Sequence, residues 1–397
     1  MAYFSPLPPA RTGIADYSRE LLPALAERSQ ITLFAEHPAV VDPALSQSFL
    51  VRPARAYATE RWRFDVTLYQ IGNSLHHEAV YRALLQHPGV VVLHEHNLHH
   101  FMIARTIGQG NTAEYIREMA YALGLEGSRL AREVLEGRQP YPLFDVPLNE
   151  RILDSSLGVI VHSQYLQMQV RLQRPDLPVQ VVPAPVGLYL PSPRRHELGW
   201  PEESIIFACV GQVTPLKHVD LVLRALARLR ERMPQACLLI VGEWLHPALD
   251  FAALTAEFDL HQAVRHLGFI GDIRHFMDWV ATADVVLNLR HPTVGETSAT
   301  ALRALAAGRP LIVFDQGWYR ELPDDACLKV APMSEEELLA AMRRLAEDAA
   351  LRARMGRRAA DYARQQHHPA RAAEAYLRAV QVILSEIDRR SDGSHRV

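Results

Sequence analysis

The sequence predicts an α/β fold of two doubly wound parallel-sheet domains. Three observations point there. The chain has 397 residues, more than one hydrophobic core usually organises. Short apolar, β-branched runs alternate with helical patterns along it, the rhythm of strand-helix-strand units. Near mid-chain that rhythm is interrupted by Pro183, Pro185, Pro191, Pro193 and Pro201, the composition of a linker. The boundary is placed there, giving domains over 1–185 and 186–397, with C-terminal helices available to return to the first domain.

In the first half, residues 31–34, 66–71, 90–93 and 159–161 read as strands, after an opening strand that ends before Ser5. Ile14, Tyr17, Leu21 and Leu25 recur at helical spacing and mark an early helix with one apolar face. From about 100 to 150 the alternation gives way to charge-rich helical sequence, an insertion of the kind that handles a substrate or a partner. The second half restarts with strands at 205–210, 238–241, 264–267, 285–289 and 311–314, each followed by helix. Ser334 and Glu337 form a capping-box pattern, and helical sequence runs on to about residue 388.

Apolar residues make up 49% and charged residues 22%, so large cores are possible and disorder is not expected. The net charge of −3 lacks the basic excess that a nucleic-acid partner requires. Cys209, Cys237 and Cys327 are scattered and odd in number, which suits small buried hydrophobes better than a disulfide framework. The N-terminal residues show no signal-peptide pattern, and no apolar run reaches the roughly 18 residues needed to span a bilayer. A cytoplasmic location is expected, with peripheral membrane contact through an amphipathic patch left open.

In a doubly wound sheet, ligands bind outside the carboxyl ends of the strands, so the turns there are where chemistry is sought. The first such turn runs from Ser5 to Gly13 and leads into a helix carrying Asp16 and Tyr17. Gly13 would let backbone amides approach a phosphate or sugar, or mark an ordinary turn. After 205–210 comes Gly211-Gln212-Val-Thr-Pro-Leu-Lys217, where the lysine would neutralise a diphosphate. After 285–289 comes Arg290-His-Pro-Thr-Val-Gly295-Glu296-Thr297-Ser298. Here Gly295 permits close approach, Glu296 suits sugar hydroxyls, and Thr297 and Ser298 offer hydroxyls and helix-start amides to a phosphate. Helix capping by the same hydroxyls is compatible with that role. The run His94-Glu95-His96-Asn97-Leu98-His99-His100 carries no zinc motif, because position 98 is Leu where a second histidine would be needed. Sugar contacts by one or two of these histidines, or solvated histidines at a helix start, are the two readings. Gly108-Gln-Gly110 matches a loose dinucleotide fingerprint but follows no convincing strand. No Asp-x-Asp occurs, so the usual two-carboxylate grip on a divalent metal is missing and metal-independent chemistry is favoured.

Together these segments resemble glycosyltransferase family four, retaining enzymes of the GT-B fold, across nearly the whole chain. The residues that carry the resemblance are Gly13-Ile-Ala-Asp16-Tyr17, Tyr69-Gln-Ile-Gly72-Asn73, Leu93-His94-Glu95, Val161-His162-Ser163, Gly211 through Lys217, Val241-Gly242-Glu243, and Gly295-Glu296-Thr297-Ser298 through Ala307-Gly308-Arg309-Pro310. The resemblance implies two Rossmann-like domains facing a cleft, a nucleotide-diphosphate sugar as donor substrate and no resident cofactor or metal. On the donor it implies Gly13, Gly211, Gln212, Lys217, Gly295, Glu296, Thr297, Ser298 and Arg303, with Phe269 and Ile270 in the turn where the base is sought. Asp16, Tyr17, Asn73, His94 and Glu95 are implied on the acceptor or sugar side, and His94, Lys217 and Glu296 at the chemistry.

The sequence departs from the family pattern in three places. Gln212 stands where the family has an arginine beside its diphosphate-binding lysine. Gly295 and Arg303 stand at the two glutamate positions, with Glu296 one residue late in a Gly-Glu-Thr-Ser variant. Arg303 would pair with a phosphate or face solvent. The expected partners are a nucleotide sugar and a carbohydrate, lipid-linked or small-molecule acceptor. A catalytically silent binding subunit, a sugar-nucleotide epimerase and a sugar phosphorylase are the alternatives.

Overall fold

A computed structural model describes residues 1–246 and 248–394, without the side chains of 391–394. It comprises two compact units. The first holds Met1–Pro185, the short segment Val294–Thr297 and the chain from Pro369; the second holds Val186–Thr293 and Ser298–His368.

The first unit is built on seven strands: β1 (Ala2–Phe4), β2 (Thr32–Ala35), β3 (Leu50–Pro53), β4 (Thr67–Ile71), β5 (Gly89–Leu93), β6 (Ser156–Val161) and β7 (Val179–Val181). All pairs are parallel and the order is β3-β2-β1-β4-β5-β6-β7. β5 is buried along its whole length, as expected for a strand covered by helices on both faces. Its sequence, Gly-Val-Val-Val-Leu, is correspondingly apolar without alternation. The early helix Gly13–Ala26 buries Tyr17, Leu21, Leu22 and Leu25 and is capped by Thr12, whose hydroxyl accepts from the Ala15 amide at 3.0 Å.

Between β5 and β6 the charge-rich segment folds as the helices His99–Arg105, Thr112–Leu135 and Glu150–Asp154. The middle one is broken at Gly124, whose φ of 66° and ψ of −141° leave the helical region. The helix Pro369–Ser394 also belongs to this unit. It lies so close to β6 that a Cβ on Gly158 would sit 2.4 Å from Cγ2 of Ile383.

The second unit has six parallel strands: β8 (Ile205–Val210), β9 (Ala236–Val241), β10 (Val264–His266), β11 (Val285–Leu287), β12 (Leu311–Phe314) and β13 (Cys327–Val330). Their order is β10-β9-β8-β11-β12-β13. In both sheets the direction of strand addition reverses once, between β1 and β4 and between β8 and β11. Those are the topological switch points, where side chains from adjacent turns converge on a ligand.

Three strands were not anticipated from the sequence: β3, β7 and β13. Each lies at an edge of its sheet and is only partly buried. Edge strands are short and polar in part, so their apolar runs are weak. Ser334 caps its helix as expected, but the Glu337 carboxylate takes the Ala331 amide at 2.7 Å. The three cysteines are buried and free. Among the described residues no helix is long and apolar enough to cross a membrane.

Where β8 and β9 end, the backbone crosses itself closely. Gly242 has φ +149°, and a Cβ there would stand 2.2 Å from the Gly211 carbonyl oxygen. Gly242→Ala is therefore expected to lower the unfolding free energy by about 3 kcal/mol, measured by urea denaturation; a loss within experimental error would contradict this crossing.

Candidate functional site

In the second unit the site is assembled at the switch point from the turns after β8, β11 and β12. The chain leaves β8 through Gly211, whose φ is +84°, and makes one tight turn, Pro215–Lys217. That turn folds Lys217 back beneath the strand, so its ammonium donates to the Val210 carbonyl. A Cβ on Gly211 would lie 3.0 Å from Lys217 Nζ and 2.8 Å from Thr300 Cγ2. Glycine is thus needed twice, for the backbone angle and for the room that lets the amine and Thr300 approach the same backbone. Lys217 is only 8% exposed. Burial, reinforced by the nearby Arg290 charge, lowers its pKa to about 7.

Asn288, directly after β11, organises the next turn. Its Nδ2 donates to Thr300 Oγ1 at 2.9 Å, while its Oδ1 accepts from Ser298 Oγ at 3.1 Å and from the Tyr319 hydroxyl. Ser298 in turn caps the helix Ala299–Ala306, accepting from the Ala301 amide at 3.3 Å. One buried carboxamide thereby fixes a helix start, where backbone amides and the helix dipole favour an anion. The loop before it is tied on both sides. The His291 amide donates to the Leu216 carbonyl at 2.9 Å, its ring pairs with Gln316 Oε1 at 2.9 Å, and Gln316 Nε2 donates to the Arg290 carbonyl.

The remaining donor candidates of this unit are spread apart. Gln212 is exposed beside Gly211. Phe269 is 47% exposed in the turn after β10, with Ile270 half-buried beside it. Arg303 does not face solvent: it is buried, with its guanidinium 6.0 Å from the centre of the Phe276 ring.

In the first unit the structure brings His94 and Tyr17 together. Their rings meet edge to face at 4.7 Å. His94 follows β5, and its Nε2 hydrogen-bonds Gln70 Oε1 of β4 at 2.7 Å. The ring of His162, after β6, lies 5.0 Å away. Burial, then His162 and His77, holds His94 well below the ordinary histidine pKa, so it is neutral. His77 is lowered to about 4 for the same first reason.

The other first-unit candidates have local partners. Asp16 pairs with Arg19. Asn73 Oδ1 accepts from the Phe101 amide at 2.8 Å, which fixes the start of the insertion. Glu95 is half-buried next to His94, and Gly13 is exposed with open space where a Cβ would be, so its backbone does not demand glycine. Among the histidines, His99 is buried between the Val146 carbonyl and the Tyr115 hydroxyl and is not a solvated helix-start residue.

The segment Val294–Thr297 is part of this first unit. The Val294 carbonyl accepts from the His96 and Asn97 amides at 2.9 and 3.0 Å. Gly295 has φ +80°, and a Cβ there would stand 2.6 Å from His96 Cβ. Glu296 is buried and its Oε2 accepts from the Val294 amide at 2.9 Å. Thr297 is half-buried.

Sequence reasoning overlooked Asn288, Thr300, Gln316, Gln70 and Tyr376 as organisers of these clusters. A polar carboxamide inside the apolar run at 285–289 was the available signal for Asn288. Nothing local marks Tyr376, whose partner Tyr17 is 359 residues away.

Comparison with solved structures shows the fold class. Sucrose-phosphate synthase from Thermosynechococcus elongatus superposes with a TM-score of 0.67 at 18% identity, covering 97% of this chain and 98% of the other. HepE of Anabaena, solved in complex with UDP, gives 0.65 at 17%, covering 96% and 99%. The two sheets thus form the GT-B fold of glycosyltransferases. Residues 193–362 match the family model described as glycosyl transferases group 1. Among curated proteins it is similar to the D-inositol 3-phosphate glycosyltransferases of Stackebrandtia nassauensis (28% identity over 56% of this chain and 54% of the relative) and of Kineococcus radiotolerans (27% over 62% of each). The chain spans about half the length of the first of these relatives.

Two stability outcomes follow from the second-unit cluster. Below about pH 7 the Lys217 amine is charged in both folded and unfolded chains, and the cost of burying that charge is full. As pH rises toward the ordinary lysine value the cost fades, because the folded amine is already neutral while the unfolded one is losing its proton. Lys217→Met is expected to exceed the parent in stability by about 2 kcal/mol near pH 6, an advantage that shrinks toward pH 10 in urea titrations. Asn288→Ala strips three hydroxyl groups, those of Ser298 and Tyr319 buried and that of Thr300 half-buried, of a partner and is expected to cost about 2 kcal/mol, seen as a lower denaturation midpoint at unchanged slope.

Proposed function

We propose that the chain is a retaining, metal-independent glycosyltransferase that moves a sugar from a nucleotide-diphosphate sugar to a glycan, lipid-linked or small-molecule acceptor. Most of the residues assigned to the donor belong to the second unit, and those assigned to the acceptor belong to the first. The observation that carries this reading is the buried Lys217 at the β8–β11 switch point, beside Gly211 and the Asn288-ordered start of the helix Ala299–Ala306. The group 1 glycosyl transferase match covers the same segment. A lysine with a pKa of about 7 accepts a proton readily when a diphosphate arrives, since an adjacent anion favours the charged form.

In the proposed reaction the bond between the sugar anomeric carbon and the diphosphate oxygen breaks while the acceptor oxygen bonds that carbon on the same face. Charge develops on the diphosphate. Lys217, together with the amides and hydroxyls of Thr297 and Ser298, offsets it electrostatically. The departing phosphate oxygen takes the acceptor proton, so no separate base is needed. His94, neutral, orients a sugar hydroxyl by hydrogen bonding, with Tyr17 holding the ring edge on. Asp16, Asn73 and Glu95 complete the acceptor side. Glu296 keeps a sugar-contacting role, and Phe269 and Ile270 flank the base.

A silent sugar-nucleotide-binding subunit is the second reading. It is favoured by Gln212 and Arg303 at positions where the family is charged differently, the former exposed and the latter buried against Phe276.

A thermal-shift screen of UDP-, GDP- and dTDP-sugars identifies the donor, because a ligand of the folded state raises Tm by mass action. UDP-sugars come first, as HepE was solved with UDP. With that donor, Lys217→Ala is expected to lose the shift and to reduce turnover by about 10²- to 10³-fold while its far-UV circular dichroism is unchanged. Near-normal turnover would sink the diphosphate assignment. Binding without transfer or hydrolysis by the parent would favour the silent subunit.

A further inference from the structure

Lys217 stands between two residues that are tied to one and the same neighbour. The carbonyl of Leu216, just before it, accepts from the His291 amide at 2.9 Å. The ring of His218, just after it, reaches the His291 carbonyl through Nε2 at 2.7 Å. A carbonyl only accepts, so Nε2 carries the proton in either charge state of the ring. Both backbone groups of His291 thus hold the flanks of the lysine. His291 is itself fixed, because its Nδ1 pairs with Gln316 Oε1 at 2.9 Å and Gln316 Nε2 donates to the Arg290 carbonyl. The turns after β8, β11 and β12 are joined in this way within the second unit.

His218 occupies its place at some backbone strain. Its φ of 47° and ψ of 47° lie in the left-handed region, which glycine adopts freely and histidine tolerates. It is the N-cap residue of the helix Val219–Arg230, yet its side chain makes no capping hydrogen bond. The imidazole is aimed instead at the loop after β11, with the Phe314 ring 6.0 Å away. A ring that leaves the adjacent helix amides alone and spans to another turn gives a reason for a side chain where the backbone alone would favour glycine.

We propose that His218 is a positioning residue: with Leu216 it clamps the Lys217 turn onto His291 and keeps the lysine amine beneath the end of β8, against the Val210 carbonyl. That this amine meets a diphosphate rests on the transferase reading; the clamp itself does not. Among the described residues, the charged and titratable groups that act on the amine are Arg290 and Cys209. When the turn loosens, water reaches the amine and restores to its charged form the solvation that burial denies.

The sequence contains only two lysines, Lys217 and Lys329, so the full chain labelled with ¹³C-lysine carries one reporter and one internal control. The parent Lys217 is expected to titrate at about 7. His218→Gly suits the backbone angle but lacks the ring. In it the Lys217 midpoint is expected to rise toward the ordinary lysine value of 10.5 while that of Lys329 stays, and kcat/KM for the donor to fall about tenfold. His218→Gln places an amide N–H near the former Nε2 and is expected to return both quantities toward the parent. An unmoved Lys217 midpoint in His218→Gly, or a Gln variant no better than the Gly variant, would overturn the clamp. If His218→Gly does not fold, His218→Asn also tolerates the left-handed backbone, has an amide too short to reach His291, and is read by the same criteria. A parent that neither binds nor transfers any nucleotide sugar, with the Lys217 midpoint still raised in His218→Gly, would remove the transferase reading and keep the clamp. Transfer by the parent beside an unmoved midpoint would remove the clamp alone.

Discussion

The hydrogen bond from the Lys217 ammonium to the Val210 carbonyl is the contact around which the turn after β8 is arranged. An amine buried this deeply needs a partner that cannot move, and the last carbonyl of a central parallel strand is such a partner. Space for it exists only because Gly211 and Gly242 carry no side chains where β8 and β9 end. A single local requirement thus joins the strand order, the positive φ at Gly211 and the lowered pKa of the lysine. The cost of burying this cation is what lowers its pKa.

Much of this was legible in the sequence. Central strands are continuous apolar runs, and the expected spans at 205–210 and 311–314 coincide with β8 and β12. Gly211 and Lys217 were singled out because they follow such a strand, although a loop lysine is more often solvated, and the structure buries Lys217. The half-exposed edge strands β3, β7 and β13 were not, since burial on one side only does not force an apolar run. Arg303 was not either. A guanidinium buried over Phe276 depends on a neighbouring helix, Ile273–Thr282, whose packing the sequence does not announce.

The two units solve the same problem of holding polar groups in a dry place by different means. In the second, Asn288 satisfies three hydroxyl-bearing neighbours at once, so the polar network is closed and built from residues of adjacent turns. In the first, aromatic and imidazole rings pack around His94, and hydroxyls at their edges link to each other. The first arrangement resists rearrangement of a backbone. The second fixes the orientation of a ring and excludes water from it, which keeps the imidazole uncharged.

The helix Pro369–Ser394 belongs to the first unit although residues 186–368 separate its start from Pro185. At about 5–20 residues per second, a ribosome would take roughly 10–40 s to deliver that helix after the unit's main segment has emerged. During that interval the surface that receives Ile383 at Gly158, and the hydroxyl of Tyr17 that receives Tyr376, are without their covering helix. The second unit is synthesised within the same interval, so the first to begin is the last to be finished. A polypeptide arranged this way acquires its complete His94 cluster only after the second unit's strands have been made, which couples maturation of one half of the protein to completion of the other.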